Sequence, residues 1–141
     1  MGQPMDFIHA QVPGLNASLG PAIQKFLTGL KPGVAWLRSN WGLSRSPELN
    51  QHPDRHLPLL APDTPADQVW FRVEQQALVA LPQSRGILFG IRIIMTPLTE
   101  LARDSDNRRR LCRALETMPA PMAEYKGLAA VRESLILFLR G

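Results

Sequence analysis

Between Trp70 and Pro97 the chain carries two long runs of largely apolar residues, W-F-R-V-E-Q-Q-A-L-V-A and I-L-F-G-I-R-I-I-M-T-P, separated by a short turn. Side chains alternate between the faces of a strand, so these runs predict a hairpin of two strands, near 68–80 and 87–96. In the second strand Ile87, Phe89, Ile91, Ile93 and Met95 share one face, and Leu88, Gly90, Arg92, Ile94 and Thr96 share the other. In the first, Arg72, Glu74 and Gln76 oppose Val69, Phe71 and Val73. Arg92 thus stands among apolar residues at mid-strand, where an unpaired buried charge is too costly to keep. Gly90 on the same face removes a side chain and leaves room for something to approach the sheet. Two readings follow. Arg72, Glu74 and Arg92 line a polar pocket floored by sheet, or they form a cross-strand Arg–Glu pair on a solvated face.

The rest of the pattern adds helices and one further strand. Leu19, Ile23, Phe26, Leu27 and Leu30 recur at spacings of three and four, predicting a helix to about Leu30. Asn16 or Ser18 is its expected cap, with Pro21 in its first turn and Pro32-Gly33 as its stop. Residues 34–38 read as a strand. Residues 44–67 hold five of the 13 prolines and read as a loop over the sheet. His52 and His56 stand four apart in it, but Pro53 between them argues against a regular helix. Long loops of this kind are usually functional covers or linkers.

Beyond the hairpin, Thr96 is the expected cap of a helix with Pro97 at its first position and Glu100 in its first turn. Asp104-Ser105-Asp106-Asn107 breaks it and starts another, with Leu111, Cys112, Leu115 and Met118 on one side and the arginines mostly on the other, a solvated face. Pro119 and Pro121 end that helix, residues 124–127 form a turn, and 128–140 a last helix. Its run Leu135–Leu139 is too broad for one apolar stripe, so the sheet is expected to cover one face and a partner chain the other. Ahead of everything, 5–13 reads as a short extended segment containing His9. The class is α+β.

At 141 residues with 45% hydrophobic content, the chain is expected to form one domain, 1–141, with the Pro-rich loop inside it. A net charge of +4 raises the question of nucleic acid. However, the dense run Arg108-Arg109-Arg110 with Arg113 is interleaved with Asp104, Asp106 and Glu116, and no RNA-binding aromatic motif or zinc spacing accompanies it, so no nucleic-acid partner is expected. Arginine forks also suit anionic cofactors. Cys112 is the single cysteine, which excludes an intrachain disulfide and a cysteine-rich metal site. The N-terminus lacks a basic region followed by an apolar run, and the longest apolar run is far too short for a bilayer. A cytoplasmic protein without a membrane partner is the expectation.

Five segments resemble one family in order and number: I-H-A-Q-V-P-G (8–14), R-S-N-W (38–41), R-V-E-Q-Q-A-L-V-A-L-P (72–82), I-L-F-G-I-R-I-I-M-T-P-L (87–98) and Y-K-G (125–127). They are similar to the haem-binding PAS-like family typified by the alpha subunit of haem-dependent oxidative N-demethylase. The chain departs from the family pattern at Gln11, Gln75, Ala77 and Ile94. Family domains normally carry strands ahead of the first motif, so the resemblance implies an N-terminally shortened member with a PAS-like antiparallel sheet of few strands packed with helices.

The resemblance further implies haem b and dioxygen-dependent oxidation of a small amine or other nitrogen-containing substrate, with an external electron donor. His9 is then the expected axial ligand, since imidazole is the usual donor to oxygen-handling haems. Cys112 is the alternative and His52 or His56 the third choice. Arg38, Arg72 and Lys126 are candidates for the haem propionates, and Trp41 and Phe89, with Trp36 and Trp70, for apolar walls. Arg92 and Glu74 are the expected catalytic pair. A cation there stabilises negative charge developing on dioxygen, and a carboxylate anchors an ammonium. A haem-PAS gas or redox sensor and a non-catalytic subunit of an oxidase complex remain as alternatives. A homodimer is expected because strand 87–96 offers a long apolar edge.

Overall fold

The computed structural model describes residues 12–84 and 86–141. Of the segment 5–13 expected to be extended, residues 5–11, His9 among them, lie outside the described residues. Three strands form one antiparallel sheet in the order β1-β2-β3, with β1 at Ala35–Ser44, β2 at Trp70–Ala80 and β3 at Ile87–Pro97. The Leu81 N–H donates to Gly86 O at 2.8 Å and closes the β2–β3 hairpin. Long-range packing divides the chain into two compact units, Met1–Ser39 with Gln75–Arg92, and Asn40–Glu74 with Ile93–Gly141.

In the first unit α1 runs over Leu15–Thr28. It begins earlier than its expected caps because Gly14, at φ 68°, adopts the left-handed turn directly before it. Pro21 consequently falls inside the helix rather than in its first turn. The ring of Phe26 meets Trp36 of β1 edge-on, with centroids 5.3 Å apart and planes at 86°. Such pairing favours the T-shaped arrangement of two quadrupoles. Through 35–39 and 87–92 the two outer strands are exposed, whereas 76–80 of the central strand is buried or half-buried.

In the second unit β3 passes directly into α2, Leu98–Leu101. Thr96 stays in the strand and Pro97 takes the cap position, one residue later than expected. The Leu98 N–H donates to Val69 O at 2.8 Å, tying the start of α2 to the chain entering β2. The helix break expected over 104–107 forms there: Asp104 ends α2's turn and caps α3, Ser105–Thr117, by accepting from the Asn107 N–H at 2.8 Å. Pro119 and Pro121 end α3 but also open α4, Ala120–Tyr125, since proline suits a first helical turn. Gly127 at φ 67° turns the chain back.

The last helix, α5, spans only Arg132–Arg140. Leu128 and Val131 are fully buried ahead of it, and Leu98, Leu111, Leu115, Leu135 and Leu139 join them with Leu43 and Val69 in one core. Leu137 and Phe138 remain exposed. The Pro-rich loop contains two short 3-10 turns, Pro53–Arg55 and Ala66–Gln68, and no regular helix across His52–His56.

Candidate functional site

In the first unit Arg38 of β1 donates through Nε to Gln76 Oε1 of β2 at 2.6 Å. Its guanidinium carbon stands 6.0 Å from the ring centroid of Phe89 on β3, within cation–π range. Arg38, Gln76 and Phe89 therefore share one sheet face, and Trp36 and Ile91, each two residues along its strand, belong to the same face. Gln76 is buried at 7% exposure, while Trp36, Phe89 and Ile91 are open to solvent. The terminal nitrogens of Arg38 make no hydrogen bond or ion pair among the described residues. The result is a fixed cation with a free fork beside an exposed aromatic and aliphatic surface.

Arg92 is not part of this cluster. Three residues beyond Phe89, it projects from the opposite face, is exposed, and carries no ion pair among the described residues. The expectation that it must find a partner assumed a buried strand. Among the described residues β3 is an edge strand and is exposed along 87–92, so water can solvate the charge.

The second unit gathers a different set. Arg72 Nε lies 3.3 Å from Glu74 Oε1, with side chains 16% and 24% exposed. Arg72 Nη1 also donates to Leu49 O of the Pro-rich loop at 2.9 Å and approaches Met95 Sδ at 4.0 Å. Lys126 Nζ donates to Trp41 O at 2.5 Å and to Asn40 Oδ1 at 3.3 Å, and sits 5.3 Å from the Trp41 ring centroid. Trp41 stacks on Phe71 with centroids 5.9 Å apart. Burial pulls the Lys126 pKa down, and the Glu74 carboxylate opposes that shift. Arg72 and Lys126 thus each spend donors on backbone carbonyls, Arg72 holding the loop to β2 and Lys126 holding the chain after α4 to β1.

Of the alternative ligands, Cys112 is buried and its thiol donates to Glu116 Oε1 at 3.3 Å. Burial first, and then the Glu116 carboxylate, push its pKa up, which favours thiol over the thiolate a metal needs. His52 and His56 are exposed, and His52 Nδ1 faces Asp54 at 3.5 Å. Among the described residues no group of three or more His, Cys, Asp or Glu side chains could hold a bare metal ion. Haem iron asks for a single protein donor, so this leaves the haem reading untouched. Two contributors were not singled out from sequence: Gln76, which orients Arg38, and Asn40, which receives Lys126. Gln76 had a signal, because alternation puts a polar side chain in line with Arg72 and Glu74.

An α+β chain with a small antiparallel sheet, whose one face joins a free arginine fork to exposed aromatic surface, is suited to a flat anionic cofactor. The chain belongs to the family described as haem-dependent oxidative N-demethylase, alpha subunit-like, whose model matches residues 1–136. No helix among the described residues is long and apolar enough to cross a membrane.

Proposed function

We propose that this chain binds haem b and takes part in dioxygen-dependent oxidation of a small amine or other nitrogen-containing substrate, with electrons from an external donor. The observation that carries the reading is the Arg38 fork, held by Gln76 beside Trp36, Phe89 and Ile91. A porphyrin needs an apolar plane and a cation for its propionates, and these residues fit both needs. His9 is the proposed axial ligand, with Arg38 and Phe89 as cofactor contacts. When bound, haem supplies the redox chemistry for activating dioxygen. The proposed tasks of the protein residues are to fix the propionates, to exclude water with aromatic side chains, and to orient the substrate through charge. Arg92, which leaves the opposite face of β3, and Glu74, paired with Arg72, are not assigned to this surface.

A second reading, a haem-PAS gas or redox sensor or a non-catalytic subunit of an oxidase complex, is favoured by one observation. Glu74 is already paired with Arg72, and Arg92 is solvated. For either reading the proposed assembly is a homodimer and the proposed compartment the cytoplasm.

The test is an absorption spectrum of protein purified with haem available. A Soret band that is lost or shifted in His9→Ala and weakened in Arg38→Ala supports haem binding at these residues. A protein that takes up no haem overturns the enzyme and sensor readings and leaves the non-catalytic subunit. Amine-dependent oxygen uptake in the presence of an electron donor then separates enzyme from sensor.

A further inference from the structure

Along α3, Arg108, Arg109 and Arg113 line an open groove of about 610 Å³ with Cys112, Glu116 and, from α5, Arg140. Two of the four arginines are already neutralised. Arg109 Nη2 lies 2.9 Å from Asp106 Oδ1, and Arg140 Nη2 lies 2.9 Å from Glu116 Oε1. Arg108 and Arg113 form no ion pair and donate no side-chain hydrogen bond among the described residues, although Arg113 exerts a through-space pull on Glu116. With 3.6 residues per turn, these two flank the line of Arg109, Cys112 and Glu116 on either side. Two free planar forks therefore bracket a groove in which four cations oppose one carboxylate.

The shape narrows the occupant. Small-molecule pockets are usually enclosed and mostly apolar with a few polar groups. This groove is open, walled by cations, and follows a helix of 13 residues, roughly 20 Å long. Nucleic acid fits less well, because Asp104, Asp106 and Glu116 interrupt the cation row and no aromatic side chain lines the groove for base stacking. A protein surface rich in Asp and Glu suits it, since arginine forks bind carboxylates with two parallel bonds. We propose that the α3–α5 groove docks an acidic surface of a partner protein, with Arg108 and Arg113 taking its carboxylates. The inference stands independently of haem binding.

The probe is fluorescent hexaglutamate, titrated with the full chain at low salt, with ATP and a thymidylate oligonucleotide as competing anions. The double variant R108Q/R113Q should weaken hexaglutamate binding about tenfold, the combined effect of two exposed ion pairs. R110Q/R55Q, which removes the same charge from positions outside the groove, should leave it unchanged, and both variants should melt with the wild type. Equal weakening in the two double variants would reduce the effect to net charge and overturn the proposal. So would an absence of hexaglutamate binding, or tighter binding of ATP or thymidylate through the same two arginines.

Discussion

Arg38 Nε and Gln76 Oε1 lie 2.6 Å apart, joining the edge strand β1 to the central strand β2 through side chains. One partner is exposed and the other buried, so the bond fixes an outward cation from an inward anchor. A hydrogen bond to a charged group is worth more than a neutral one, but Arg38 can recover water if the acceptor is lost. Gln76→Leu should therefore cost about 1–2 kcal/mol of stability in urea denaturation. A cost within a few tenths of zero would show that the contact is incidental.

Glu116 gives a pH-dependent counterpart. It accepts from Arg140 at 2.9 and 3.2 Å and from Cys112 at 3.3 Å, and its pKa is lowered, chiefly by the Arg140 hydrogen bonds. A lowered folded pKa stabilises the fold fully above the ordinary glutamate value of about 4.3 and loses that contribution as pH falls through the lower folded value. Glu116→Gln lacks the contribution at every pH. The difference in thermal midpoint between wild type and variant should thus be largest near neutrality and shrink on acidification. A gap that stays constant into the acid range would exclude the charge as its source.

The hairpin and the start of α3 are legible because each follows a local rule. Period-two alternation predicts two strands around a short turn, and the Asp104–Asn107 stretch predicts the break at which α3 starts, where Asp104 supplies the cap. The α+β class and the family followed from motifs spread along the chain. Arg92 departs from its expected burial for a non-local reason. Whether a strand is an edge depends on what pairs beside it, and periodicity carries no such information. The α4 helix is hidden in the sequence because Pro119 and Pro121 signal the end of α3 as strongly as the start of another helix, and proline does both. Gln76 and Asn40 gain meaning only from Arg38 and Lys126, which reach them across strands or from a distant turn.

Cys112 should behave as a protected thiol. Its burial and the neighbouring Glu116 carboxylate both disfavour the thiolate, which is the reactive form toward alkylating reagents. Iodoacetamide at mildly alkaline pH should label it far more slowly than the same protein unfolded in urea. Glu116→Gln removes one of the two causes and should speed labelling, while desolvation continues to slow it. Labelling of the native protein as fast as the unfolded chain would contradict the buried position.

Assembly supplies the last prediction. Both β1 and β3 are edges of the three-stranded sheet, and an edge presents a row of unpaired N–H and C=O groups that invites another chain. β1 is blunted by Arg38 within it and by Pro32 ahead of it, whereas β3 carries no charge from Ile87 to Ile91. Leu88 is 56% exposed and Ile91 50%, so apolar surface lies on both sides of that stretch. Pairing of β3 with its copy by two-fold symmetry would satisfy the edge and cover these side chains together. A lysine placed on an edge strand opposes such pairing, and an exposed position tolerates it without loss of the fold. Wild type should therefore run at dimer mass in light scattering, and Leu88→Lys at monomer mass with an unchanged circular dichroism spectrum. A wild type at monomer mass over a wide concentration range rules the dimer out, and a dimer untouched by Leu88→Lys moves the interface away from β3.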